Sequence, residues 1–161
     1  MQHLCIVTTG GTIDKIYFDD LSTYQIGEPE IGRILTSFGV NFSFNVVALM
    51  RKDSLELTDA DRAAIHAAIV ASPARHILIT HGTDTMAVTA RTLTDIKGKV
   101  IVLTGAMQPA SLRSSDSVFN VGFAFAAVQL LPDGVYVAMN GRIFDAAHVT
   151  KDRAAGRFVA E

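Results

Sequence analysis

Five short apolar runs, rich in β-branched residues, recur along the chain at 3–7, 42–50, 76–80, 100–104 and 135–139. Each has the length of one strand and little polar alternation, so each reads as a strand buried on both faces or nearly so. Helical patterns fill the gaps. Ile31, Ile34, Leu35 and Phe38 fall on one helix face behind Pro29, a residue tolerated at a helix start. Thr58 to Asp61 has the form of a capping box ahead of an alanine-rich stretch that should stop near Ser72-Pro73. Met86, Ala90 and Leu93 make a third stripe, and residues 116–131 a fourth helix that is apolar almost all round. Strands alternating with helices imply right-handed βαβ units. The expected fold is α/β: a doubly wound, mostly parallel sheet with helices on both faces, in one domain over residues 1–161.

The composition agrees with a packed core, being 49% hydrophobic and 19% charged. The net charge of −2 and the lack of a basic run argue against a nucleic-acid partner. Cys5, the single cysteine, has no internal disulfide partner and reads as a small core residue. The N-terminus does not resemble a signal peptide, and no apolar stretch reaches membrane-spanning length. A cytoplasmic protein without a membrane partner is the expectation.

In doubly wound sheets, ligands bind at the carboxyl ends of the strands. The runs end in Thr8-Thr9-Gly10-Gly11-Thr12, Arg51-Lys52-Asp53-Ser54, His81-Gly82-Thr83-Asp84-Thr85, Gly105-Ala106-Met107-Gln108 and Asn140-Gly141, with Asp145, His148 and Lys151 beyond. A parallel sheet would gather these hydroxyls, carboxylates and a lysine along one edge. Gly10-Gly11 alone reads as a tight turn, and neither the dinucleotide nor the phosphate-loop spacing is present. His81 and His148, with Asp84 or Asp145, lack metal-ligand spacing, so no metal is expected. Taken singly, Lys151 reads as a solvated lysine and Asp84 as a cap for the third helix.

The stretches "TTGGTID", "ITHGTDTM", "VLTGAM" and "VAMNGRI", in that order over essentially the whole chain, resemble the bacterial L-asparaginases of the type I/type II family. The resemblance implies hydrolysis of the side-chain amide of asparagine, with some action on glutamine, by threonine chemistry and without a cofactor. It assigns Thr12 as the nucleophile, with Gly11 beside it, and Tyr24 as the tyrosine of a lid over it. It assigns Thr83, Asp84 and Lys151 to a second triad. Asp53 and Ser54 would grip the α-carboxylate and α-amino group, with Gly82 and Ala106 lining the substrate site. Leu55, Gln108 and Ser117 depart from residues common in longer members. Longer relatives carry a second domain after the lysine motif and this chain ends soon after that motif, so a naturally short, single-domain form is expected, with a truncated longer chain as the alternative.

These roles agree with the chemistry of amide hydrolysis. The reaction needs an activated nucleophile, a proton acceptor and donors for the developing oxyanion. Glycines at 10 and 11 leave room for the amide, and backbone N–H groups near Thr12 and Thr83 are candidate oxyanion donors. Two other readings compete: an asparaginase-like subunit of a tRNA-dependent amidotransferase, and a non-catalytic amino-acid-binding domain. The apolar fourth helix further predicts a homo-oligomer.

Overall fold

A sheet whose strands are apolar on both faces is stable only as the middle of three layers. The computed structural model, which describes residues 3–161, has that arrangement. In chain order the elements are β1 (His3–Gly10), β2 (Lys15–Phe18), β3 (Thr23–Ile26), α1 (Glu30–Ser37), β4 (Ser43–Lys52), α2 (Asp59–Ala71) and β5 (His76–Thr80). There follow α3 (Met86–Arg91), β6 (Val100–Thr104), α4 (Ser117–Leu130), β7 (Gly134–Met139), β8 (Arg142–Asp145), β9 (Val149–Asp152) and β10 (Arg157–Ala160).

The main sheet runs β4-β1-β5-β6-β7-β8, parallel throughout except for β8. Alternate side chains of β1 divide between the two cores. Cys5 and Val7 pack with Ile65 and Ile69 of α2 and with Met86 and Ala90 of α3. Leu4 and Ile6 pack with Ile31 and Leu35 of α1 and with Val121 and Ala124 of α4. The direction of strand succession reverses beside β1. The chain passes from β1 to one neighbour, β4, and then returns to form β5 on the other side. The crevice between the carboxyl ends of β1 and β5 is therefore the switch point at which such sheets bind ligands.

Three departures from the sequence reading have physical causes. β4 is an edge strand and exposes much of its length, Val46 and Val47 included, rather than being buried on both faces. Asn140-Gly141, at the carboxyl end of β7, is a tight hairpin turn and not an open loop. With φ of 55° and 72° it makes the left-handed two-residue turn that folds β8 back against β7. Asn-Gly is the strongest short hairpin signal, so the turn was readable. Two small antiparallel hairpins, β2–β3 and β9–β10, also stand outside the main sheet. Their strands are four residues long, too short to stand out as apolar runs.

Local capping follows the expected chemistry at α2. The Thr58 hydroxyl accepts from the Asp61 N–H, and the Asp61 carboxylate accepts from the Thr58 N–H. Around α4 the polar groups serve the neighbouring loop. Asp116 accepts from the N–H groups of Met107 and Gln108, and the Asn120 amide donates to Asp116 and to the Gly105 carbonyl. The outer face of α4 leaves Phe119 61% and Leu130 83% exposed. No helix among the described residues is long and apolar enough to cross a membrane. Thr58→Ala should cost about 1 kcal/mol of stability, read as a lower urea midpoint with unchanged slope.

Candidate functional site

The site is built on backbone contacts that only glycine permits. Gly10 and Gly11 end β1 at φ of 95° and 86°, a region L side chains rarely enter. A Cβ on Gly11 would stand 2.5 Å from the Cα and N of Gly82, and one on Gly82 would stand 2.6 Å from the Ser54 Cβ. The loop after β1 thus touches those after β4 and β5 backbone to backbone, and the Ser54 side chain packs on Gly82. The Gly11 N–H donates to the Lys52 carbonyl, the Thr9 hydroxyl to the Thr80 carbonyl and the Thr85 hydroxyl to the Ser54 carbonyl. Thr12 and Thr83 follow directly on the two abutting glycines.

Lys151 arrives from β9. Its ammonium donates to the Thr83 hydroxyl and to the Asp84 carboxylate, both at 2.7 Å. Arg153 lies 3.9 Å from the same Asp84 oxygen. Asp84 does not cap α3, whose N-cap position is Thr85 and carries no side-chain cap. Thr83, Asp84 and Lys151 therefore form one hydrogen-bonded group across 67 residues of sequence.

The other expected positions lie outside that hydrogen-bonded group. Thr12 is half-buried in a short 3-10 turn, and its hydroxyl bonds to no protein group among the described residues. Tyr24 lies on β3, 47% exposed, with its ring edge-on to Tyr17. Asp53 is bound by Lys15, whose ammonium donates to it at 2.9 Å; this contact holds its carboxyl below the ordinary range, with the Lys151 charge adding to the effect. Ser54 is buried beneath Gly82. Ala106 is a core residue packed against the α1–α4 layer, so its side chain is closed to a substrate. Among the described residues no three His, Cys, Asp or Glu side chains gather as a metal site.

The amidohydrolase reading rests on more than these contacts. The family profile described as "Asparaginase, N-terminal" matches residues 3–158. The chain belongs to the asparaginase family. It is 31% identical to a glutaminase-asparaginase of Acinetobacter glutaminasificans, over 93% of this chain and 50% of that protein. It is 43% identical to a glutamyl-tRNA(Gln) amidotransferase component of Methanococcus vannielii, over 45% of this chain and 17% of that one. The thermostable L-asparaginase from Thermococcus kodakarensis superposes with a TM-score of 0.86 and 26% identity, over 99% of this chain and 51% of its own. This asparaginase-family chain thus spans about half the length of the Acinetobacter and Thermococcus proteins it matches.

Two residues next to the family motif escaped the sequence reading. Lys15 ties the base of the β2–β3 hairpin to the Asp53 loop. Asp14, almost fully buried, accepts the Glu30 N–H at its carboxylate (2.9 Å) and the Gly27 N–H at its carbonyl (2.7 Å). One residue thereby holds both ends of the hairpin. The visible signal was an adjacent Asp-Lys pair at the loop's end, where apolar residues could have served. Burial raises the Asp14 carboxyl to about 6; the Glu30 N–H bond opposes this, the Glu30 charge adds to it and the Arg51 charge opposes it.

The stability consequence has a definite sign. Between about pH 4 and pH 6 the folded chain keeps a proton on Asp14 that the unfolded chain has released. Stability from this group is present below that window and is lost as pH rises through it. Asp14→Asn keeps an acceptor for Glu30 but does not titrate. Its stability relative to wild type should rise by about 3 kcal/mol from pH 4 to pH 7 in denaturant titrations.

Proposed function

We propose that the chain hydrolyses the side-chain amide of L-asparagine to L-aspartate and ammonia, with Thr12 as nucleophile. The observation carrying this reading is the Lys151 ammonium bridging the Thr83 hydroxyl and the Asp84 carboxylate beside the Gly11–Gly82 contact. Thr12 stands on the other side of that contact with its hydroxyl uncommitted, as an attacking group must be. Thr12 Oγ would attack the amide carbon and pass its proton to the Thr83 hydroxyl, which Lys151 and Asp84 hold in place and which would hand a proton on to the departing nitrogen. The carbonyl oxygen would take up negative charge. Collapse would break the C–N bond, and the departing nitrogen would take that proton as ammonia is released. Water would then cleave the acyl-Thr12 ester, returning the hydroxyl and freeing the acid.

The Lys15–Asp53 pair, at the loop after β4, would meet the amino-acid end of the substrate. Their charges suit a zwitterion, Lys15 facing its carboxylate and Asp53 or Asp84 its ammonium. Weak glutaminase activity belongs to the same proposal, since the chemistry at the amide is unchanged by one methylene. Tyr24, on the β2–β3 hairpin, is the tyrosine proposed to act beside Thr12.

The test is ammonia release from L-asparagine, L-glutamine and D-asparagine by the isolated chain. Thr12→Ala should lower kcat about 1,000-fold or more, with the melting temperature within a few degrees of wild type. Wild-type rates in Thr12→Ala would overturn the nucleophile. Lys151→Met should also lower kcat steeply while leaving KM within a few fold. Asparagine turnover by the chain alone would exclude an amidotransferase component that works only with a partner, the reading raised by the Methanococcus vannielii likeness.

A homo-oligomer is part of the proposal. Ile34, Phe38, Val118, Gly122 and Phe125 line a groove of about 230 Å³ between α1 and α4, continuous with the exposed face of α4. Apolar surface of this kind favours a second copy of the chain. Sedimentation at micromolar concentration should give more than a monomer.

A further inference from the structure

The hydrolase reading uses Thr83 but leaves its neighbour idle. His81 is completely buried at the end of β5. Its backbone is fixed on both sides: the N–H donates to the Thr104 carbonyl at 2.9 Å, and its own carbonyl lies 2.3 Å from where a Cβ on Gly105 would stand. Both ring nitrogens are engaged. Nδ1 is 2.7 Å from the Gly82 carbonyl and Nε2 is 2.8 Å from the Thr89 hydroxyl. A carbonyl can only accept, so Nδ1 carries the proton, and the Thr89 hydroxyl donates to Nε2. Burial, reinforced by the Arg62 charge and opposed by the bond to Gly82, pulls this ring down to about 4. The imidazole is therefore neutral at neutral pH.

The consequence runs through one peptide group. A trans peptide directs its C=O and N–H to opposite sides. With the Gly82 carbonyl drawn to the buried ring, the Thr83 N–H must point away from it. Gly82 cannot rotate out of this pose, because Ser54 and Gly11 pack against its Cα. The Thr83 N–H donates to no protein acceptor among the described residues, although Thr83 is only 6% exposed. Nearly buried N–H groups without partners are rare and costly. One aimed at a reaction site is what a developing oxyanion requires.

We propose that His81 is a positioning residue: its Nδ1–H, held in that tautomer by Thr89, clamps the Gly82 carbonyl and so presents the Thr83 N–H to the oxyanion of the attacked amide. His81 neither touches substrate nor moves a proton. The assignment rests on the amide-hydrolase reading for its purpose, while the clamp itself stands on the geometry.

Three variants separate the possibilities. His81→Leu removes the clamp, His81→Asn returns an N–H donor at the Nδ1 position, and Thr89→Val frees the tautomer. His81→Leu should lower kcat for asparagine about 100-fold with KM within about two-fold, the scale of losing one oxyanion donor. His81→Asn should recover at least ten-fold of that loss, and Thr89→Val should fall between it and wild type. The pH profile of kcat above pH 5 should keep its shape in all three. A profile that loses a limb in His81→Asn would make His81 a proton carrier and overturn the assignment. So would His81→Asn as slow as His81→Leu, or a loss confined to KM.

Imidazole ¹⁵N shifts in the wild-type protein give a measure that needs no folded variant and no turnover. They should report a neutral ring protonated at Nδ1 at pH 7, and protonation at Nε2 would overturn the clamp. A wild-type chain that releases no ammonia from asparagine yet shows the Nδ1–H tautomer would fail the hydrolase reading instead.

Discussion

The contact of Gly11 with Gly82 sets the rest of the molecule in place. Two neighbouring strands end there in loops whose backbones approach so closely that Gly11 cannot carry a Cβ. That approach joins Thr12 to Thr83 across the reversal in strand order. It also fixes the loop after β4, since Ser54 fills the space beneath Gly82. A doubly wound sheet offers a crevice at this point in any case. The glycines narrow the crevice until chemistry on one side meets a donor on the other. Lys151 then needs only to reach a wall already built.

Charge is distributed along that wall in pairs. Lys15 faces Asp53, and Lys151 faces Asp84 with Arg153 at the rim. Each pair is partly exposed, so its worth as a bond is small. Its worth as placement is larger, because each cation ties an element outside the sheet to a loop at the sheet's edge. Lys15 does so for the β2–β3 hairpin and Lys151 for the β9–β10 hairpin. Asp14 completes the attachment of the first hairpin from below, at the cost of holding a carboxyl in the core.

The layered fold was largely legible in the sequence, because apolar runs of strand length between helical stripes admit few other arrangements. The runs at 76–80 and 100–104 coincide with β5 and β6, and the capping box marks the start of α2. What escaped were the short hairpins and the β8 edge, where four residues carry too little periodicity and turn chemistry alone speaks. At the site, Thr83, Asp84 and Lys151 were legible as types and the structure joins them. The direction of the Tyr24 ring and the burial of Ala106 were not, because both depend on tertiary packing. His81 was weighed only as a metal ligand. Its two bonds, to a carbonyl one residue on and a hydroxyl eight residues on, have no signature in composition. The full-length relatives run to about twice this chain.

The β9–β10 hairpin lies outside the six-stranded sheet and is fastened to the body by Val149 and Phe158 in the core, by the Arg91 guanidinium on the Val149 carbonyl, by the Phe158 N–H on Asn140 and by Lys151 on Thr83 and Asp84. Small units held this way open at lower free energy than the body they rest on. Opening this one carries Lys151 away from Thr83 while every parallel strand remains paired. The place of the lysine at the site therefore depends on a unit whose own opening would leave the sheet intact.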